Sequence, residues 1–95
     1  MATSKLPKSR LESKRFEASR KRIESDCERF DDLVDGLLNS ISIKPDFFKL
    51  ISKNGLQSAR ASLPDNNGEI RNIVIFFKDL PKVIYLVDVA EEPEE

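Results

Sequence analysis

With 95 residues, 39% of them apolar and 35% charged, the chain is long enough for one domain around one hydrophobic core under a heavily charged surface. It has no histidine and a single cysteine, Cys27, so the commonest general base and zinc ligand are missing and no intramolecular disulfide can form. Any catalysis has to run on arginine, lysine, carboxylate, tyrosine or hydroxyl groups, and nothing in the pattern asks for a cofactor. No stretch has the apolar length of a signal peptide or a membrane span, so a cytoplasmic protein without membrane association is expected.

The net charge of -1 hides an uneven distribution. Near the start Lys5, Lys8, Arg10, Lys14, Arg15, Arg20, Lys21 and Arg22 are opposed only by Glu12, Glu17 and Glu24, whereas the end reads Glu91-Glu92-Pro93-Glu94-Glu95. Residues 1–9 are polar, aperiodic and interrupted by Pro7, which predicts a flexible arm; residues 91–95 repel one another and predict a disordered acidic tail. The single folded domain is expected between them, over 10–90.

From Arg10 onward the pattern is helical. Ile23, Cys27, Phe30, Val34, Leu37 and Ile41 recur at spacings of three and four, which places them on one stripe of a long helix ending near Asn39. Such a stripe predicts burial against the domain's own sheet, with a homodimer seam along 23–41 as the other use open to it. Pro45-Asp46-Phe47-Phe48-Lys49-Leu50-Ile51 suits a short second helix that plugs one end of the core. Leu56 to Leu63 alternates as a strand, Pro64-Asp65-Asn66-Asn67-Gly68 is a loop, and Ile70 to Val89 holds two β-branched runs separated by Lys78 to Lys82. The expected architecture is therefore α+β: a long helix and a short one packed on a three-stranded antiparallel β-meander.

Three groups could carry function. Arg60 and Arg71 fall on neighbouring strands around one loop, where two guanidinium groups could grip a phosphate, with Lys78 and Lys82 at the hairpin turn; the plainer reading is of solvated edge residues. The basic helical residues Lys14, Arg15, Arg20, Lys21 and Arg22 suit a polyanion such as RNA, and equally a solvated helix face. Tyr85 with Asp88 lies near the end of the sheet, where a tyrosine is most often a packing residue. Cys27, on the apolar stripe, reads as core.

In order, Gly55-Leu56, Ala59-Arg60-Ala61, Asp65-Asn66-Asn67-Gly68, Arg71-Asn72-Ile73-Val74-Ile75-Phe76-Phe77 and Val83-Ile84-Tyr85-Leu86-Val87-Asp88-Val89 make an arginine strand, a Gly-containing loop, an Arg-led apolar strand and a last apolar strand. This half of the chain resembles the toxins of the bacterial RelE/HigB/ParE superfamily. The resemblance implies a toxin that binds RNA or the ribosome and cuts messenger RNA without a metal, with Arg60, Arg71 and Lys78 as the catalytic cations and an antitoxin as protein partner. Family members begin with a strand before the first helix, which residues 1–9 do not signal, and Ala90 to Pro93 replaces their basic or aromatic ending. The alternative is a non-catalytic, phage-derived protein-interaction module acting through its helix and sheet face.

Overall fold

The computed structural model describes residues 9–43, 49–50 and 54–92. The chain is α+β, with two helices on one face of a mixed sheet. In order the elements are β1 (Ser9–Glu12), α1 (Lys14–Asp26), α2 (Phe30–Ile43), β2 (Lys49–Leu50), β3 (Leu56–Pro64), β4 (Ile70–Asp79) and β5 (Val83–Glu92). The sheet order is β1-β5-β4-β3-β2; β1 runs parallel to β5 and every other pair is antiparallel. The expected three-stranded meander is its centre, flanked by the four-residue β1 and the two-residue β2.

Four expectations are corrected. A strand, not helix, begins the described chain, because Ser9 to Glu12 pair with Val83 to Leu86. Ser13 then starts α1: its hydroxyl accepts from the Phe16 amide at 3.0 Å, satisfying one of the open N–H groups of the first turn. The long helix is two helices, broken where Cys27 turns extended (φ -134°, ψ 93°). No glycine or proline makes that break. Asn66, reaching over from the β3–β4 loop, closes it: its side-chain amide donates to Ser25 O at 3.2 Å and its backbone amide to Asp26 O at 2.7 Å. The short second helix is replaced at Lys49 and Leu50 by β2, and its remaining residues lie outside the described ones. Finally, β5 continues through Glu91 and Glu92, held opposite Ile73 and Asn72, so these two leave the expected tail; Pro93 to Glu95, like residues 1–8, lie outside the described residues.

The core fills the space between the helices and the inner face of the sheet. Phe16, Ile23, Cys27, Phe30, Val34, Leu38 and Ile41 meet Ala59, Leu63, Ile73, Ile75, Phe77, Ile84, Leu86 and Val89. The helical stripe is therefore buried on the chain's own sheet. Along β5 the faces do not alternate throughout: Phe76 pairs with Asp88 but Phe77 with Leu86, which leaves Val87 as a bulge. Beyond it Val89 rejoins the inner face and Asp88 the outer one, and the Ser13 hydroxyl donates to the Val87 carbonyl.

Candidate nucleic-acid interface

Strand pairing decides what the two arginines do. Arg60 lies opposite Val74, and Arg71 opposite Leu63. Leu63 belongs to the inner core, so Arg71 points inward, and Arg60, one residue from buried Ala59, points outward. The two guanidinium groups lie on neighbouring strands but on opposite faces of the sheet. They do not converge on one phosphate.

Arg71 is held in a corner of carboxylates. Its Nε donates to Asp65 Oδ2 at 3.0 Å, its Nη1 to both oxygens of Glu91 at 3.1 and 3.2 Å, and its Nη2 lies 3.9 Å from Asp26. Asp65 organises the loop: with its side chain 2% exposed, it also accepts the amides of Asn67 at 2.8 Å and Glu69 at 2.9 Å. Gly68, at φ 81°, supplies the left-handed residue this tight turn needs. Burial alone would raise the Asp65 pKa, but donation from Glu69, Asn67 and Arg71 outweighs it and holds the carboxyl below its ordinary range. Burial pushes the Cys27 thiol up, against the pull of nearby Arg71.

The basic helix is likewise largely committed to its own chain. Arg20 bonds Glu12 at 2.8 Å and Glu24 at 3.1 Å, and Arg10 joins the same network through Glu12, Asp31 and Asp35. Lys21 lies 3.4 Å from Glu17, both exposed, and exposed Arg15 lies 3.9 Å from half-buried Asp88, while Lys14 and Arg22 are exposed on α1. A groove of about 610 Å³ between α1 and β5 is lined by Arg15, Arg22 and Arg71 but also by Asp26, Asp88 and Glu91. Its three cations are matched by three carboxylates.

The outer face differs. Both described helices pack on the inner side, and period-two alternation places Arg60, Ser62, Asn72, Val74, Phe76, Lys78 and Tyr85 outward. Lys78 faces Tyr85 across the strands, and Phe76 follows one step along β4. The backbones of Arg60 and Lys78 stand about 14 Å apart, four strand residues at roughly 3.3 Å each along the sheet and one strand spacing of about 4.8 Å across it. The surface is thus two cations with half-buried Phe76 between them and half-buried Tyr85 beyond Lys78 on β5, and it also carries the carboxylates of Asp88, opposite Phe76, and Glu92, opposite Asn72. The sequence pattern singled out Arg60, Lys78 and Tyr85 but missed Phe76, Ser62 and Asn72. Alternation along Leu56 to Leu63 already sets Ser62 on the side of Arg60, though not as a candidate ligand group; Asn72 and Phe76 needed the cross-strand register.

Neither a family model nor a curated protein matches the sequence. Among the described residues no helix is long and apolar enough to cross a membrane.

Proposed function

We propose that the chain is a RelE-like relative that binds single-stranded RNA, free or on the ribosome, across the outer face of its sheet. The observation that carries this reading is the open face itself: cations at Arg60 and Lys78 with Phe76 between them and Tyr85 beside Lys78 on β5, the combination by which protein surfaces track a backbone and stack its bases. The β1 strand supports the resemblance, since it supplies the element before the first helix that the toxin family carries.

Cleavage is a separate matter from binding. Attack by a ribose 2'-hydroxyl needs cations fixed on one scissile phosphate, where negative charge develops. Arg60 is paired with Glu92, on the side away from Lys78, and Arg71 is saturated with carboxylates on the other face. The geometry supports a backbone track more than a cleavage centre, so metal-independent endoribonuclease action would rest on Lys78 with Tyr85 and on contacts the ribosome adds. A protein partner such as an antitoxin is the second reading, favoured by Leu11, which is 54% exposed next to Tyr85.

Fluorescence anisotropy with a labelled single-stranded RNA of about a dozen nucleotides tests the first reading. Binding should weaken about tenfold or more in Tyr85→Ala, the loss of one stacked base, and weaken as salt rises. A folded protein that does not bind, or binding indifferent to Tyr85, would overturn it. Inducible expression in bacteria separates binder from nuclease: new transcript ends that vanish in Lys78→Ala would establish cleavage, and their absence would confine the chain to binding.

A further inference from the structure

Glu91 and Glu92 are consecutive on β5 and so point to opposite faces of the sheet. Each takes one arginine: Glu91 bonds Arg71 on the inner face, and Glu92 Oε1 lies 2.8 Å from Arg60 Nε on the outer one. The two contacts differ in kind. The carboxylates are alike, Glu91 35% and Glu92 38% exposed, but the Arg71 side chain is 29% exposed and is also held by buried Asp65, whereas that of Arg60 is 76% exposed. An ion pair so exposed is replaceable, because its strength in water is small.

Its surroundings are built for an anion. Ser62, Asn72 and Glu92 form one row across β3, β4 and β5, and Arg60 stands one step along the same face. Arg60 and Glu92 flank β4 on β3 and β5, two strand spacings or about 10 Å apart, so their side chains meet over β4. Val74, the β4 residue opposite Arg60, is only 7% exposed although neither described helix covers it. The Ser62 hydroxyl donates to Asn72 Oδ1 at 2.7 Å, which turns the amide nitrogen of Asn72 and its two donors away from Ser62. Arg60, Ser62, Asn72 and Glu92 line one groove of about 280 Å³.

We propose that Arg60 and Asn72 form a phosphate subsite for the RNA backbone, and that the Glu92 carboxylate is its resting occupant, displaced when a phosphate arrives. The proposal rests on the outer-face reading above and adds to it a site and a competitor. Binding at this end then has an internal opponent: each bound phosphate must first release a carboxylate held at the same guanidinium.

The test uses the full chain and the same labelled RNA, comparing Glu92→Gln, Arg60→Ala, the double variant, and Glu69→Gln, which removes an equal charge from the exposed loop. Glu92→Gln is expected to tighten binding about two- to fivefold, the scale of one exposed ion pair. Arg60→Ala should abolish that gain, and Glu69→Gln should give less of it. Equal gains from Glu92→Gln and Glu69→Gln would reduce the effect to net charge and overturn the proposal. If Glu92→Gln changes nothing while Arg60→Ala and Tyr85→Ala both weaken binding, the competitor is overturned and the outer-face reading stands. If neither Arg60 nor Tyr85 matters, both fall.

Discussion

Arg60 and Arg71 are the same residue type on adjacent strands of one sheet, yet one is exposed and the other is woven into the fold. The difference comes from pairing alone: Arg71 shares a face with Ile73, Ile75 and Phe77, so its charge must be met inside the protein, by Asp65, Asp26 and Glu91. Arg60 shares its face with Ser58 and Ser62 and meets water and a single glutamate. A guanidinium is thus a structural clamp or an available ligand group depending on which side of the strand carries it. The inner face uses its charged groups to hold the fold, and the outer face leaves Arg60 accessible.

The largest expected contrast is between two adjacent phenylalanines. Phe77 is fully buried among the helices, and Phe77→Ala should remove about 3–5 kcal/mol, a large part of the stability of so small a domain. Phe76→Ala, on the outer face, should cost about 1 kcal/mol and weaken RNA binding instead. Urea denaturation followed by circular dichroism measures the first quantity and anisotropy the second; equal losses of stability would break the distinction between faces.

The arginines should follow the same rule at smaller scale. Arg71→Ala leaves the Asp65 carboxylate without its guanidinium and is expected to lower the melting temperature by several degrees. Arg60→Ala should stay within about 0.5 kcal/mol of the parent protein. If calorimetry finds the reverse order, the inner-face assignment of Arg71 fails.

Acid sharpens the comparison further. The Asp65 pKa is depressed in the folded chain, so its ionisation contributes stability that is fully present above its unfolded value of about 3.9 and is lost as pH falls through the lower folded value. Asp65→Asn should therefore flatten the decline of stability below about pH 4, read from melting curves taken across that range. The mildest prediction concerns Cys27: fully buried, with its thiol pKa pushed up, it should react with a thiol reagent only after denaturation.

The meander and the core stripe were legible in the sequence because they obey the simple periods. Val34, Phe30 and Ile23 repeat as helix residues do, and Ile73 to Phe77 are as β-branched and aromatic as a central strand should be. The first strand was hidden because it inverts the usual pattern: Arg10 and Glu12 face inward into a network with Arg20, while Leu11 faces out. Nothing local marks such a strand, since its partners lie on helices that follow it and on β5 at the far end of the chain. The helix break at Cys27 was equally illegible, because a residue nearly forty positions away, Asn66, caps it. For the candidate site, residue types pointed to Arg60, Lys78 and Tyr85, but alternation along one strand gives no register to the next. The Val87 bulge shows the same limit, since it moves Val89 from the face that simple alternation assigns to it.

The most direct test of the division between faces is an NMR titration of the labelled chain with the same single-stranded RNA, following each backbone amide. The account predicts shifts concentrated at Arg60, Ser62, Asn72, Val74, Phe76, Lys78 and Tyr85, with α1 and the Asp65 loop largely still. Shifts running instead along Lys14, Arg15, Lys21 and Arg22, with the outer strand positions unmoved, would contradict it.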